Sequence, residues 1–448
     1  MKSFKSILLL SVALVTARAA DVVSPAKVPD SIVISSELIN QLALEARANS
    51  PSIKAAAARV RSAARNAESV RTWEDPTALV GGSVFSSRGM NPAEEGNLVF
   101  GLEEKLPLWG RPESARKVAQ AEAAAREAEA NYLQLELRND ITEVLLTTAF
   151  AERAVELEEQ DIHWLEAMVE SAENRYRAGQ GSLADALQIQ NTLAQQRDTW
   201  TTDRRRLAQQ HLNLNRLLNR DASNAWPSLQ LPPVAPVIPF SAKLISLAMQ
   251  NEPKLKVQEA EIRQAIAAAE LTRKARLPEV SLSVEGRQYS GDGGFRSGAI
   301  ALRISLPWFN GNKYSRDYSR QKELQQAAEH EREAQMLKVR EELHHLSVSI
   351  EASRRESLLQ SEEISLRAAE VRASRVAEWE AGRGSFREVL DARRMELESQ
   401  LMAARATREQ YEMLAEMLLW TGLEKLDALL ALANEPEILS EHERHFSK

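Results

Sequence analysis

Four short segments alternate between apolar and polar residues with a period of two, as expected of β-strands that have one apolar face. The alternation predicts strands near residues 78–86, 97–106, 279–287 and 299–306. In the third segment, Val280, Leu282 and Val284 share a face opposite Ser281 and Ser283. Each segment has about 9–11 residues, enough to cross a bilayer as a tilted strand. A small soluble sheet with one buried face gives the same pattern, so both interpretations stay open.

Two polar, glycine-rich stretches favour the membrane interpretation. Residues 86–96 and 290–297 separate the members of each strand pair, where the external loops of a membrane hairpin are expected. Four strands cannot close a barrel, for which about eight are needed, and open strand edges are not tolerated in lipid. The chain would therefore oligomerise, and three copies would give room for a pore that two copies would not.

A seven-residue apolar repeat dominates the rest of the chain and predicts long supercoiled helices. Leu193, Trp200, Leu207 and Leu214 recur at this spacing, and a related series between residues 141 and 176 is interrupted by one charged position, Glu158. The predicted helices are, in chain order, residues 37–73, 112–178, 183–218, 241–275, 313–381 and 386–420. At a rise of 1.5 Å per residue the two longest measure roughly 100 Å, far more than the width of a globular domain.

The same order of elements (helix, strand pair, long helix, helix) occurs twice. Leu-Pro-Leu-Trp at 106–109 corresponds to Leu-Pro-Trp-Phe at 306–309, and the Ala-Gly-x-Gly-Ser turn at 178–182 corresponds to that at 381–385, so landmarks recur about 200 residues apart. Five prolines in residues 221–240 predict an extended connector between the copies. The predicted organisation is a signal peptide at 1–19, a first repeat at 35–220, the connector at 221–240, a second repeat at 241–422 and a tail at 423–448.

The beginning of the chain has the features of a secretory signal peptide. Lys2 and Lys5 precede an apolar run at residues 7–15, and Ala17 and Ala19 form a cleavage signal. That run is too short to span a bilayer, and no other segment has the apolar length of about 18 residues that a spanning helix needs. We therefore expect an exported protein without a transmembrane helix. Because the chain has no cysteine, we also expect neither disulfides nor a lipid anchor on an N-terminal cysteine.

Composition narrows the function further. Hydrophobic residues make up 44% of the chain and aromatic residues only 5%, which favours long packed helices over a compact enzyme. The net charge is -7 and no basic stripe occurs, so nucleic acid is not an expected partner. The chain has no phosphate-binding loop, nucleophile elbow or zinc-protease motif, and its seven histidines are scattered. We therefore expect no enzyme activity, no cofactor and no metal site.

The duplicated plan, the two Leu-Pro segments at 106–111 and 306–311 and the two glycine turns resemble the TolC-like outer-membrane efflux proteins over about residues 35–425. The resemblance implies a mostly α fold with a small β part, in which duplicated coiled-coil hairpins and four strands per chain assemble as a trimeric α/β-barrel. Twelve strands would form an outer-membrane barrel in contact with lipid, and the helices a periplasmic tunnel. The implied partners of this homotrimer are a periplasmic adaptor and an inner-membrane pump of RND or ABC type.

The resemblance also places the two glycine turns at the periplasmic tips, where they would face the adaptor. These tip residues are Gly179, Gly181, Ser182, Leu183, Gly382, Gly384, Ser385 and Phe386. Asp185, Glu388 and Asp391 align with gate acids of the family, and in a trimer each would form a ring of three carboxylates that attracts cations and tunes opening. Ordinary helix-end chemistry also explains glycine, serine and acids at these positions. Trp379 and Gly384 depart from the family pattern, in which a gating tyrosine and an arginine are found.

The function predicted from the sequence is a passive outer-membrane conduit that exports small molecules or metal ions. The Leu-Pro-Leu-Trp-Gly-Arg segment is most similar to the heavy-metal branch of the family. Two alternatives stay open: a type I protein-secretion channel, which has the same fold, and a soluble periplasmic coiled-coil adaptor or scaffold. An exported enzyme would need a polar catalytic cluster, which the sequence does not contain.

Overall fold

Two long helical hairpins and a four-stranded sheet make up the chain. The computed structural model describes residues 31–70, 74–82, 97–289 and 293–436, so the predicted signal peptide, the loop at 86–96 and residues 290–292 lie outside the described residues. The described helices are α1 (Ser36–Asn49), α2 (Pro51–Ser69), α3 (Arg111–Arg177), α4 (Leu183–Leu218), α5 (Ala242–Asn251), α6 (Pro253–Lys274), α7 (Gly311–Leu358), α8 (Ser365–Glu380), α9 (Phe386–Thr421) and α10 (Leu426–Leu430). The described strands are β1 (Ser31–Val33), β2 (Thr77–Gly82), β3 (Asn97–Lys105), β4 (Ser228–Gln230), β5 (Val280–Tyr289) and β6 (Phe295–Ile304).

The prediction of one continuous helix at the start of each repeat is wrong. The first is divided into α1 and α2, and its counterpart into α5 and α6. Pro51 and Pro253 begin the second helix of each pair, and the residues before them, Ser50 and Glu252, have extended ψ angles of 128° and 123°. Proline has no amide hydrogen and its ring excludes the helical conformation from the residue before it, so a proline ends one helix and begins the next.

The two hairpins differ in the continuity of their long helix. In the first hairpin α3 runs unbroken for 67 residues, roughly 100 Å, before the turn to α4. In the second, the predicted helix at 313–381 is interrupted between α7 and α8 by a π-helical turn at Leu359–Ile364, which the sequence pattern did not predict. The wider turn locally underwinds the helix.

The sheet has the order β2-β3-β5-β6, and all neighbouring strands are antiparallel. Pairing of β3 with β5 joins the two repeats in one sheet. One face is apolar and open, with Val80 76% and Ile300 77% exposed. On the opposite face the Arg303 guanidinium bridges the carboxylates of Glu103 and Glu285. The second predicted loop is shorter than expected, because β6 already begins at Phe295.

The two passages from strand to long helix have different backbones. In the first repeat, Trp109 and Gly110 have φ angles of 62° and 64°, and the Trp109 indole Nε1–H donates to the Pro278 carbonyl at 2.9 Å. A left-handed conformation is unfavourable for a tryptophan, so this hydrogen bond helps to hold it. In the second repeat a single turn at Pro307–Asn310 leads into α7, and Gly311 has an ordinary helical φ of -51°.

The connector is bound to both repeats. Its strand β4 pairs in parallel with β1, an element not predicted from the sequence. The Glu152 carboxylate of α3 accepts hydrogen bonds from the Ser228 hydroxyl and the Leu229 amide, both at 2.6 Å. From α9, the Gln410 amide exchanges two hydrogen bonds with the Ala235 backbone at 3.0 and 2.8 Å. Apolar cores on both sides of the connector pack against it, so the segment ties the two repeats together.

Candidate functional site at the two glycine turns

The two glycine turns have the same backbone geometry. Gly179 and Gly382 adopt φ angles of 72° and 73°, which favour glycine because it has no Cβ. The next amide, of Gln180 or Arg383, donates back across the helix end at 2.9 Å in both turns. This is the Schellman arrangement that ends many helices. Serine hydroxyls then cap α4 and α9.

The predicted tip residues divide by exposure. Those on the surface are Gly179, Gly181, Ser182, Leu183, Gly382 and Ser385, whereas Gly384 is half-buried. Phe386 is 0% exposed and lies in an apolar cluster with Leu165, Ala186 and Val389. The Phe386 side chain therefore packs the two hairpins together and does not contribute to the outer surface of the chain.

One arginine connects the first hairpin to the second at this level. The Arg175 guanidinium lies 4.8 Å from the ring centroid of Trp379 and donates a hydrogen bond to the Glu380 carbonyl oxygen. Trp379 is buried and meets the Phe386 ring edge-on, with centroids 5.3 Å apart. The tryptophan that departs from the family pattern thus has a partner of its own, a cation from the neighbouring hairpin. Cation–π contact and hydrogen bond together hold the two turns side by side.

The three predicted gate acids occupy different surroundings. Asp185 is half-buried and lines a cleft of about 420 Å³ between the two turns, with Arg175 and Trp379 on the other walls. Glu388 is exposed and pairs with Arg375 at 3.2 Å. Asp391 is exposed one helical turn further along α9. The acids thus follow the turns closely but do not meet within one chain.

A buried ion-pair network between the hairpins was missed by the sequence analysis. Arg393 of α9 donates to Asp161 of α3 at 2.8 Å and to Glu396 at 2.7 Å, and Arg372 of α8 donates to Glu396 at 2.6 Å. Burial raises the pKa of the Asp161 carboxyl, and the hydrogen bond from Arg393 opposes that rise. Asp161 lies outside the positions of the apolar repeat, and its partner Arg393 is more than 200 residues away in sequence, so no local pattern indicated the pair.

The described part of the chain gives no sign of a metal or of a helical membrane span. No three histidine or acidic side chains come together there as a metal site. None of its helices combines the length and the apolar character needed to cross a membrane.

Comparison with known families decides the identity. The sequence profile of the outer membrane efflux protein family matches this chain twice, over residues 42–220 and 244–423. The chain belongs to the outer membrane efflux protein family. Among curated protein sequences no significantly similar relative is found.

Several solved structures share this fold at low sequence identity. The outer-membrane channel OprN superposes with a TM-score of 0.75 at 18% identity, covering 86% of this chain and 90% of the other. The outer membrane protein VceC of Vibrio cholerae gives a TM-score of 0.72 at 20% identity, with coverage of 86% and 96%. The channel CusC gives 0.75 at 17% identity, with 86% and 92% covered. These matches confirm the predicted fold class of this outer membrane efflux protein.

Family membership also confirms the predicted localisation of this outer membrane efflux protein, with its helical part extending into the periplasm. It favours an efflux channel over a soluble coiled-coil scaffold and over an enzyme. Members of the family work as trimers with a periplasmic adaptor and an inner-membrane pump.

Proposed function

We propose that three copies of this chain form a passive conduit through the outer membrane, within a tripartite pump that exports small molecules or metal ions. The observation that supports the proposal most directly is the sheet. It has an open apolar face, a polar opposite face, and two strands, β2 and β6, that each pair on one side only within the described residues. Lipid suits the apolar face, and strand edges in lipid need partners from neighbouring copies.

The helical hairpins extend the conduit away from the membrane. With α3 roughly 100 Å long, packed copies of both hairpins would enclose a tunnel that reaches far into the periplasm. The glycine turns would then form its narrow end, where an adaptor meets the exposed tip residues. Asp185, Glu388 and Asp391, repeated by threefold symmetry, would place carboxylates around that opening and favour cations there.

Paired cysteines can test the assembly, because the natural chain has none. We would combine Val80→Cys in β2 with Ile300→Cys or Leu302→Cys in β6, so that more than one register between copies is covered. A closed ring of three predicts covalent dimers and trimers on oxidation in the membrane, and Val80→Cys alone serves as the control. Cross-linking that stops at dimers, or a monomer in every combination, contradicts the trimer.

Conductance and cargo need separate measurements. Purified trimers in planar bilayers should conduct ions with a preference for cations, and a silent bilayer would contradict the conduit. Cells that lack the gene should become sensitive to metal salts or to small toxic molecules, and the gene restored in trans should reverse this. A change in secreted proteins alone would favour the type I secretion alternative.

A further inference from the structure

Glu158 is the one charged residue in the apolar repeat of α3, and the efflux function does not account for it. Its side chain is half-buried between α3 and α4, and its Oε2 atom is buried without a hydrogen-bond partner among the described residues. A buried carboxylate oxygen without a donor is unfavourable, whereas a protonated carboxyl can itself donate. The position therefore favours the protonated form.

Asp203 of α4 lies opposite Glu158 in the same hairpin, within hydrogen-bonding range of it. The Asp203 Oδ1 atom already accepts a hydrogen bond from the Arg206 guanidinium at 2.7 Å. A carboxylate cannot donate to a second carboxylate, and two adjacent negative charges repel. One proton between the two acids converts this repulsion into an O–H···O⁻ hydrogen bond, which is short and strong.

The other charges around Glu158 do not cancel the repulsion. On its own helix Asp161 lies one turn away, but Arg393 of α9 pairs with Asp161 as well as with the neighbouring acid Glu396. From α4, Arg206 is the cation that faces Glu158, and it is mostly exposed. Burial, followed by the charge of Asp203, raises the pKa of Glu158 to about 7.

We propose that Glu158 and Asp203 share one proton and act as a pH-sensitive fastener between α3 and α4. In mildly acidic medium the shared proton bonds the two helices, and in alkaline medium two carboxylates face each other across the seam. Through Asp161, one helical turn from Glu158, α3 also contacts the second hairpin. A weaker contact between α3 and α4 would therefore also weaken the contact between the two hairpins. The fastener itself does not depend on conduction through the protein.

The sign of the pH dependence follows from proton binding. The pKa of Glu158 rises from an ordinary value of 4.5 to about 7, so between those values the folded protein binds more protons than the unfolded chain. The contribution of this proton to the stability of the folded protein is complete below pH 4.5 and declines as the pH rises towards 7. Above pH 7 the stability no longer changes through this group. Water around the half-buried pair reduces the effect of this rise on folding.

The test compares thermal unfolding of the full-length wild type and three variants in detergent between pH 5 and 8.5. Glu158→Gln keeps the shape of the protonated acid, so its midpoint should equal the wild-type midpoint near pH 5 and exceed it increasingly up to pH 7. Asp203→Asn should show the same trend. Glu159→Gln, an exposed neighbour, should keep a constant difference from wild type. A constant difference for Glu158→Gln as well would overturn the proposal.

A local measurement provides a second test in case other regions of the protein dominate its thermal unfolding. Amide hydrogen exchange in the middle of α3 and α4, corrected for the intrinsic pH effect, should be faster at pH 8 than at pH 5.5, by up to about ten-fold, in the wild type and in Glu159→Gln but not in Glu158→Gln. Equal protection at both pH values would also overturn the proposal. An absence of conductance in the planar bilayers would contradict the proposed conduit. The unfolding and exchange measurements would still test the shared proton between Glu158 and Asp203.

Discussion

Removal of Arg393 should loosen the contact between the two hairpins. This guanidinium bonds both Asp161 and Glu396, each about 5% exposed, and also lies 5.5 Å from the Trp164 ring centroid. In Arg393→Met the apolar stem is retained, but Asp161 is left buried without its cation. Leaving one partner of a buried ion pair alone costs about 3–5 kcal/mol.

The expected shift in melting temperature follows from the size of the chain. At about 2.1 cal/mol/K per residue, the entropy of unfolding of a chain this long is roughly 0.9 kcal/mol/K. A loss of about 3–5 kcal/mol therefore lowers the midpoint by about 3–5 °C. Far-ultraviolet circular dichroism of the purified protein in detergent, recorded as a function of temperature, measures this shift.

Two comparisons decide whether the ion pair is the cause. Arg394→Met removes an exposed arginine next to it and should leave the midpoint unchanged. Adding Asp161→Asn and Glu396→Gln to Arg393→Met removes the stranded charges, and most of the lost stability should return. Acidification should also partly restore the single variant, because burial raises the pKa of Asp161 and protonation then removes its charge. If Arg393→Met melts like the wild type, the network does not stabilise the hairpin contact.

Three further variants test the turns and the junction of the repeats. Asp185→Ala combined with Asp391→Ala should raise conductance or leak and weaken cation preference in bilayers, because rings of carboxylates are removed from the proposed opening. Arg175→Ala should cost about 1–3 kcal/mol at the turns and speed amide exchange there, since a cation–π contact and a hydrogen bond are lost. Gly422→Ala should reduce the yield of folded protein, because its Cβ would lie 2.2 Å from the Asn251 oxygen at a φ of 64°.

Each of these variants has a matched control. Asp198→Ala removes an exposed acid of α4 far from the turns and should not change conductance. Arg177→Ala removes a surface arginine paired only within its own helix, so exchange at the turns should stay slow. Gly311→Ala adds a Cβ that meets nothing within 4 Å and should fold normally. Unchanged conductance in the double aspartate variant removes the gate assignment and leaves the conduit intact.

Local chemistry explains why the turns and helices could be predicted. The Ala-Gly-x-Gly-Ser sequence contains its own helix stop and start, because glycine adopts the left-handed conformation and serine caps the following helix. Residues Gly179 and Ser182 do both in the structure. The alternation in β5 likewise predicts which face of the strand is apolar, without reference to any distant residue.

Features that depend on distant contacts were missed. The hydrogen bond between Arg393 and Asp161 joins residues far apart in sequence, so no local pattern indicates that they are partners. Phe386 was assigned to a surface because it follows a turn, yet the first hairpin packs over it. The breaks at Pro51 and Pro253 follow from local chemistry, because the residue before a proline is driven out of the helical conformation; the prediction of one continuous helix overlooked this.

The left-handed pair Trp109–Gly110 limits the symmetry that the duplicated chain can reach. Its counterpart in the second repeat, Phe309–Asn310, has no residue with a positive φ, so the two halves of one chain leave the sheet by different backbone paths. Around a ring of three chains these passages would alternate, and the wall beneath the membrane would repeat every 120° instead of every 60°. Any partner that binds this part of the wall would meet two kinds of binding surface. A protein present in six copies would have to bind there as three pairs, and the two members of each pair would contact different surfaces.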